Sequence, residues 1–237
     1  MSKALKAFTE THDRTLALLN YQAALRKADP TKGALCDDVV RSCVVLAVAA
    51  MDTYFTRKFT EVLVPYLKNR KPTDEMVELL GEAGLGTKEA LVMLGMERPY
   101  RRVRTLISSH LSNYTTQHFD KIDELFKCFA INDLTLHAER KTRRTMLRQS
   151  VRRLVMRRND IAHEGDLNSH GKVESVKADR LTKRIKDLRT LVTAADSIVD
   201  SATANKKAKA KPVKKKPAPK KATAKSAVKR ASSGKKK

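Results

Sequence analysis

Apolar residues recur along this chain at spacings of three and four and almost nowhere in strict alternation. Helices are therefore expected throughout. Residues 4–28 carry a first amphipathic pattern that stops before Asp29-Pro30. Proline lacks an N–H and restricts the residue before it, so a helix ends there. A second helix is expected from near Ala34 to about Lys68. Its apolar positions (Val39, Val40, Cys43, Val44, Ala47, Val48, Met51, Phe55, Phe59) are so dense that it must be buried on most sides. Lys71-Pro72-Thr73-Asp74 is a break, with Thr73 or Asp74 able to cap the next helix.

Residues 73–130 read as short helical pieces separated by Gly81, Gly84, Gly86, Gly95 and Pro99. Gly84-Leu85-Gly86 has the look of a helix-hairpin-helix turn, but glycines at this spacing are common, and a simple connection between two short helices is the expected reading. From about Leu136 to Ala162 one long basic helix is expected, then a loop to Lys172. A last helix over about 173–202 places Leu181, Ile185, Leu188, Val192, Ala195 and Val199 on one stripe that needs a partner helix. The expected fold class is all-α.

Charge divides the chain. The formal net charge is +24, and residues 205–237 carry 15 of the 50 Lys and Arg and none of the 26 Asp and Glu. That segment of Lys, Ala, Pro, Ser and Thr offers too little apolar surface to offset its ordering entropy and is expected to be disordered. It resembles the tails of linker histones and of some bacterial histone-like proteins. Lys214, Lys215, Lys216, Lys220 and Lys221 are its candidate nucleic-acid contacts, gripping phosphates, including those of DNA, without reading sequence. The organisation expected is a helical domain over 1–204 and a basic tail over 205–237.

Cys36, Cys43 and Cys128 form no Cys-x-x-Cys pair and suit neither a disulfide framework nor a zinc site; they read as small buried hydrophobes. Met1–Glu10 lacks the apolar run of a secretory signal, and the most apolar stretch, Val44–Met51, is far shorter than the roughly 20 residues of a membrane helix. A cytoplasmic protein without a membrane partner is expected, nucleoid-associated if its tail holds DNA.

Two residues interrupt otherwise apolar stripes. In the long basic helix Leu147, Val151 and Leu154 lead to Arg158 and then Ile161, so an arginine stands where a hydrophobe belongs. In the second helix Asp52 interrupts Val44, Val48, Phe55 and Phe59. A lone inward charge is costly unless paired or aimed at a counter-ion, and the simplest expectation is that Asp52 pairs with Arg158 and orients it. His163 lies four residues after Asn159, on the same face. Five residues turn an ideal helix by about 140° between Arg158 and His163, so the two converge only through arginine's long arm or at a helix end, which Glu164-Gly165 favours. Arg157 is a further candidate phosphate contact.

The string Arg158-Asn159-Asp160-Ile161-Ala162-His163-Glu164-Gly165, between a basic apolar helix and an amphipathic one, resembles the HEPN family. Ala49-Ala50-Met51-Asp52-Thr53-Tyr54 is similar to the early helix of its RiboL-PSP branch. The resemblance covers roughly 35–68 and 120–200 and leaves 73–118 as a helical insert. It implies an all-α bundle, a homodimer whose two motifs share one cleft, and, in many members, endoribonuclease activity without a metal. Arg158 and His163 match the motif, Asn159 the polar residue after its Arg, and Asp52 the early acid. Many relatives carry Gly directly after the His; here Glu164 intervenes, and a carboxylate there repels phosphate.

The residue types suit that chemistry. An RNA 2′-hydroxyl attacks the neighbouring phosphate once a base such as His163 takes its proton and a cation such as Arg158 stabilises the growing charge. No cofactor is called for, and DNA would be bound but not cut. The leading expectation is an endoribonuclease of toxin or defence type acting on RNA. The alternative is a non-catalytic HEPN scaffold that binds nucleic acid through its tail. A third reading adds an antitoxin or other neighbouring-gene partner.

Overall fold

The densest apolar run becomes the longest helix. In the computed structural model, which describes residues 1–204, α2 spans Gly33–Asn69, and Cys43, Val44, Ala47, Val48, Met51, Phe55 and Phe59 along it are fully buried. A helix this apolar is stable only at the centre of a bundle, and α2 packs against α1 (Lys3–Ala28), α5 (Pro99–Leu111), α6 (Phe119–Lys127), α8 (Leu147–His163) and α9 (Ala178–Thr203). The described residues form nine α-helices and no strand, apart from one isolated antiparallel bridge between Leu167 and Val173.

Contacts along the long helices fix their directions. Glu61 accepts from the backbone of Ala4, Cys43 Sγ donates to Thr15 O, and Cys36 Sγ to Gln22 O, so α1 and α2 run antiparallel. The corner between them is a 3-10 turn over Pro30–Lys32, where the Asp29 carboxylate accepts from the Thr31 N–H and hydroxyl. Tyr54 and Lys58 meet Asp196 and Asp200, and Arg70 reaches Ala204 O, so α9 runs parallel to α2. Nothing in the sequence pattern marks Lys58. It is fully buried, with Nζ 2.7 Å from Asp196 Oδ1 and 2.5 Å from Asp200 Oδ1. Such a lysine is tolerable only because both carboxylates meet it. Tyr54 donates to the same Asp196 oxygen at 3.0 Å, and burial together with that carboxylate pushes its phenol well above the ordinary range, keeping it a donor.

An aromatic cluster fills the other side of α2. Phe55 and Phe59 stand edge-on to Phe126, with centroids 6.0 and 6.1 Å apart, and Phe59 meets Phe129 at 4.7 Å. Each such pair contributes about 0.5–1.5 kcal/mol beyond the area it buries. Residues 73–118 supply α3 (Asp74–Glu82), α4 (Thr87–Leu94) and α5. Thr73 caps α3 by accepting from Met76 N at 3.2 Å. Gly84, at φ +93°, ends it with a bond from Leu85 N to Leu80 O, a geometry that favours glycine. The Gly84-Leu85-Gly86 stretch thus joins two short helices.

Two boundaries differ from the periodic pattern. The single helix expected over 136–162 is two, α7 (Leu134–Thr142) and α8, parted at Arg143 and Met146, both with positive φ. The break is held by local partners: Thr142 Oγ1 accepts from Arg144 N, and Glu139 Oε2 from Arg148 N at 2.6 Å. Lys141-Thr142-Arg143-Arg144-Thr145-Met146 contains neither Gly nor Pro, so no composition signal marks it. The last helix starts at Ala178 rather than near 173, because residues 166–174 form a latched loop against α2. The three cysteines are buried and unpaired, as expected. No described helix is long and apolar enough to cross a membrane.

Candidate active site at the end of α8

Leu147, Val151 and Leu154 are buried along α8, and Arg158 follows them toward the interior, half-buried, with its Nε sealed from solvent and without a hydrogen-bond partner. His163 is the last residue of α8 and is exposed. The arginine's arm closes the angular gap: Arg158 Nη1 lies 3.2 Å from Asn159 Oδ1 and 3.4 Å from His163 Nε2. Guanidinium offers only donors, so the second contact is a hydrogen bond when Nε2 is unprotonated and accepting. Arg158, Asn159 and His163 are thus brought together at one helix end. Among the described residues Arg158 has no ion pair.

Asp52 is not its partner, which corrects the pairing expected from the apolar stripes. Its carboxylate accepts from Thr116 N at 2.7 Å, Thr116 Oγ1 at 2.6 Å and Gln117 Nε2 at 3.2 Å. A carboxylate that accepts three hydrogen bonds, one from the backbone and two from side chains, is satisfied without a cation. It fastens the segment between α5 and α6 onto α2. Gln117 then lines a cavity with His118, Arg152 and Met156. Arg152, Met156, Asn159 and His163 repeat at spacings of four and three, so this cavity adjoins the face of α8 that ends in His163.

Arg157, the further candidate phosphate contact on this helix, is paired with an acid. Its Nη1 and Nη2 lie 2.5 and 2.7 Å from the two oxygens of Asp166, which is 2% exposed. Arg41 of α2 donates from Nε to the same carboxylate at 2.6 Å and from Nη2 to Glu174 O at 2.8 Å. Burial works against the charge on Arg41, but the hydrogen bond and charge of Asp166 outweigh it and hold its pKa above the ordinary value. Gly165 and Asp166 both take positive φ, and Asp166 N–H reaches back to Asp160 O at 3.1 Å. The chain turns inward directly after His163 and is pinned there by two arginines. Arg41 and Asp166 escape sequence reasoning because an Arg and an Asp 125 residues apart carry no pattern. The exposed Glu164 forms no ion pair among the described residues. The tail candidates Lys214, Lys215, Lys216, Lys220 and Lys221 lie outside the described residues. Among the described residues no three His, Cys, Asp or Glu side chains cluster in a way that could hold a metal ion.

The family model for RiboL-PSP-HEPN matches residues 9–201. The chain belongs to this family. No curated protein and no solved structure matches it. The match runs through 73–118 as well as through the two stretches that carried the resemblance. Membership gives the HEPN domain an RNA-related role, and the convergence of Arg158, Asn159 and His163 lies within the matched span.

Proposed function

We propose that this HEPN protein is a metal-independent endoribonuclease whose site is built on Arg158, Asn159 and His163. The observation that carries the proposal is the 3.4 Å approach of Arg158 Nη1 to His163 Nε2. It puts a phosphate-binding cation beside a proton acceptor at an exposed helix end. An incoming phosphodiester competes for the guanidinium, which matches its oxygens in a planar fork, and frees Nε2. The imidazole takes the 2′-hydroxyl proton, the 2′-oxygen bonds to phosphorus, and the bond to the 5′-oxygen breaks. The leaving oxygen takes a proton from a second imidazole, the equivalent His163 in a homodimer. The products are a 2′,3′-cyclic phosphate and a 5′-hydroxyl. Asn159 holds Arg158 through its Oδ1, and Asp52 acts at one remove by fixing Gln117 beside α8. Uncontrolled RNA cleavage would arrest a cell, which suits a toxin or defence setting and a restraining partner.

The test is incubation of the protein and His163→Ala with single-stranded RNA in EDTA. Cleavage by the wild type, lost in the variant and leaving cyclic-phosphate ends, is expected. No cleavage, or equal cleavage by both, would favour the alternative of a non-catalytic HEPN scaffold binding nucleic acid through its Lys-rich tail.

A further inference from the structure

A groove of about 440 Å³ opens between the N-terminal half of α8 and the first turns of α9. Its walls carry Arg144 and Arg153 on one side and Arg180, Lys183 and Arg184 on the other, and the single acid lining it is Asp187. That acid is already engaged: it is 4% exposed, lies 2.5 Å from Arg144 Nη2, and accepts from Ser150 Oγ at 2.6 Å. Arg153, Arg180, Lys183 and Arg184 have no ion pair or side-chain hydrogen bond among the described residues. Four cations facing one cavity repel each other at the distances the groove sets. Arg184 feels this directly: burial, reinforced by Arg153, Arg180 and Arg157, pushes its pKa below the ordinary value.

We propose that this groove is a phosphate-binding subsite that holds the backbone of a single-stranded RNA, so that the strand reaches Arg158 and His163 from the α9 side of α8. The proposal rests on the reading of the chain as RNA-directed, but not on cleavage. Arg180, Lys183 and Arg184 repeat at three and four along α9 and form a stripe rather than a point, which suits a ligand of repeated charge. Arg153 precedes Arg158 by five residues, about 7.5 Å along the helix axis and about 140° around it, so a strand held in the groove passes around α8 to meet the candidate active site. Arginine's fixed fork and weak hydration suit it to phosphate oxygens.

The test is binding of a fluorescent single-stranded oligoribonucleotide by the full chain carrying His163→Ala, measured across a salt series. Each phosphate contact on a single strand contributes about 0.7 to the slope of log K against log salt. Arg180→Gln with Arg184→Gln should therefore lower that slope by roughly 1.4, and Arg153→Gln on the opposite wall by about 0.7. Lys88→Gln with Arg104→Gln removes the same charge from exposed positions on α4 and α5 and should change it by less than about 0.3. An equal drop in both double variants, or none in either, overturns the proposal. ATP at matched ionic strength should compete weakly; if it binds more tightly than the oligonucleotide and is lost in the Arg180/Arg184 variant, the groove is a nucleotide site and the RNA assignment is overturned. A chain that never cleaves RNA yet shows the selective slope change loses its proposed activity and keeps this subsite.

Discussion

Arg158 Nη1 lies 3.4 Å from His163 Nε2, although five residues of continuous helix separate them. The Arg158 backbone follows the buried side of α8 and the His163 backbone an exposed one, and the long arginine side chain spans the difference. The guanidinium is left without a carboxylate among the described residues. An arginine so placed stabilises the fold little and is available to an anion.

Replacing that cation should therefore affect catalysis far more than stability. Arg158→Ala is expected to lower kcat/KM on RNA by about 10²–10³, the usual loss when one preorganised charge-stabilising donor is removed. Its melting temperature should stay within a few degrees of the wild type, because no ion pair is broken. Arg158→Lys should recover only part of the rate, since a point charge does not reproduce the planar fork. Steady-state kinetics and thermal melts on the same samples check both halves.

The reverse holds at Asp166. Removing this buried carboxylate leaves Arg41 and Arg157 facing each other without their shared counter-charge. Asp166→Asn should cost about 3 kcal/mol of unfolding free energy, as for other broken buried pairs. It should also release the loop after His163. Urea denaturation reads the stability, and hydrogen exchange of the 167–174 amides reads the latch; an unchanged midpoint would show that the ion pairs contribute nothing.

Asp52 and Arg158 should behave as independent sites. Asp52→Asn weakens charge-assisted bonds to Thr116 and Gln117, each worth about 1.5–3 kcal/mol. In a double-mutant cycle on stability, Asp52→Asn and Arg158→Ala should add to within about 0.5 kcal/mol. A larger coupling energy would restore the direct pairing that the structure does not show.

Acid should destabilise the fold through His12. This residue is fully buried between α1 and α9, with Nε2 3.0 Å from Ile185 O, and burial lowers its pKa from the ordinary 6.5, with Arg189 adding to the effect. The unfolded chain then takes up the proton first. Stability is fully present above the unfolded value and is lost as pH falls through the folded one, at up to about 1.4 kcal/mol per pH unit. Melting temperatures recorded from about pH 7.5 to about pH 5 should fall in the wild type and less steeply in His12→Gln.

How much of this is legible in the sequence depends on whether a feature repeats. The bundle, the central burial of α2 and the Thr73 cap come from periodicity and local chemistry, which a sequence displays directly. The Arg158, Asn159 and His163 cluster is legible because all three lie on one helix, where spacing is geometry. Asp52 stands out in its apolar stripe, but the pattern points to the wrong partner, since Thr116 and Gln117 sit in an irregular segment with no pattern of its own. Lys58 with Asp196 and Asp200, and Arg41 with Asp166, are hidden because buried ion pairs between distant segments leave no periodic trace. The break between α7 and α8 is hidden because side-chain caps at Thr142 and Glu139, rather than Gly or Pro, hold it.

The most direct test is a DNA oligonucleotide containing a single ribonucleotide, incubated with the full chain, with Arg158→Ala and with His163→Ala in EDTA. The wild type should cleave only on the 3′ side of the ribose, leaving a 2′,3′-cyclic phosphate on one product, with the rate about 10²–10³ lower in Arg158→Ala and cleavage lost in His163→Ala. Cleavage at deoxyribose positions, or undiminished cleavage by His163→Ala, would contradict this mechanism.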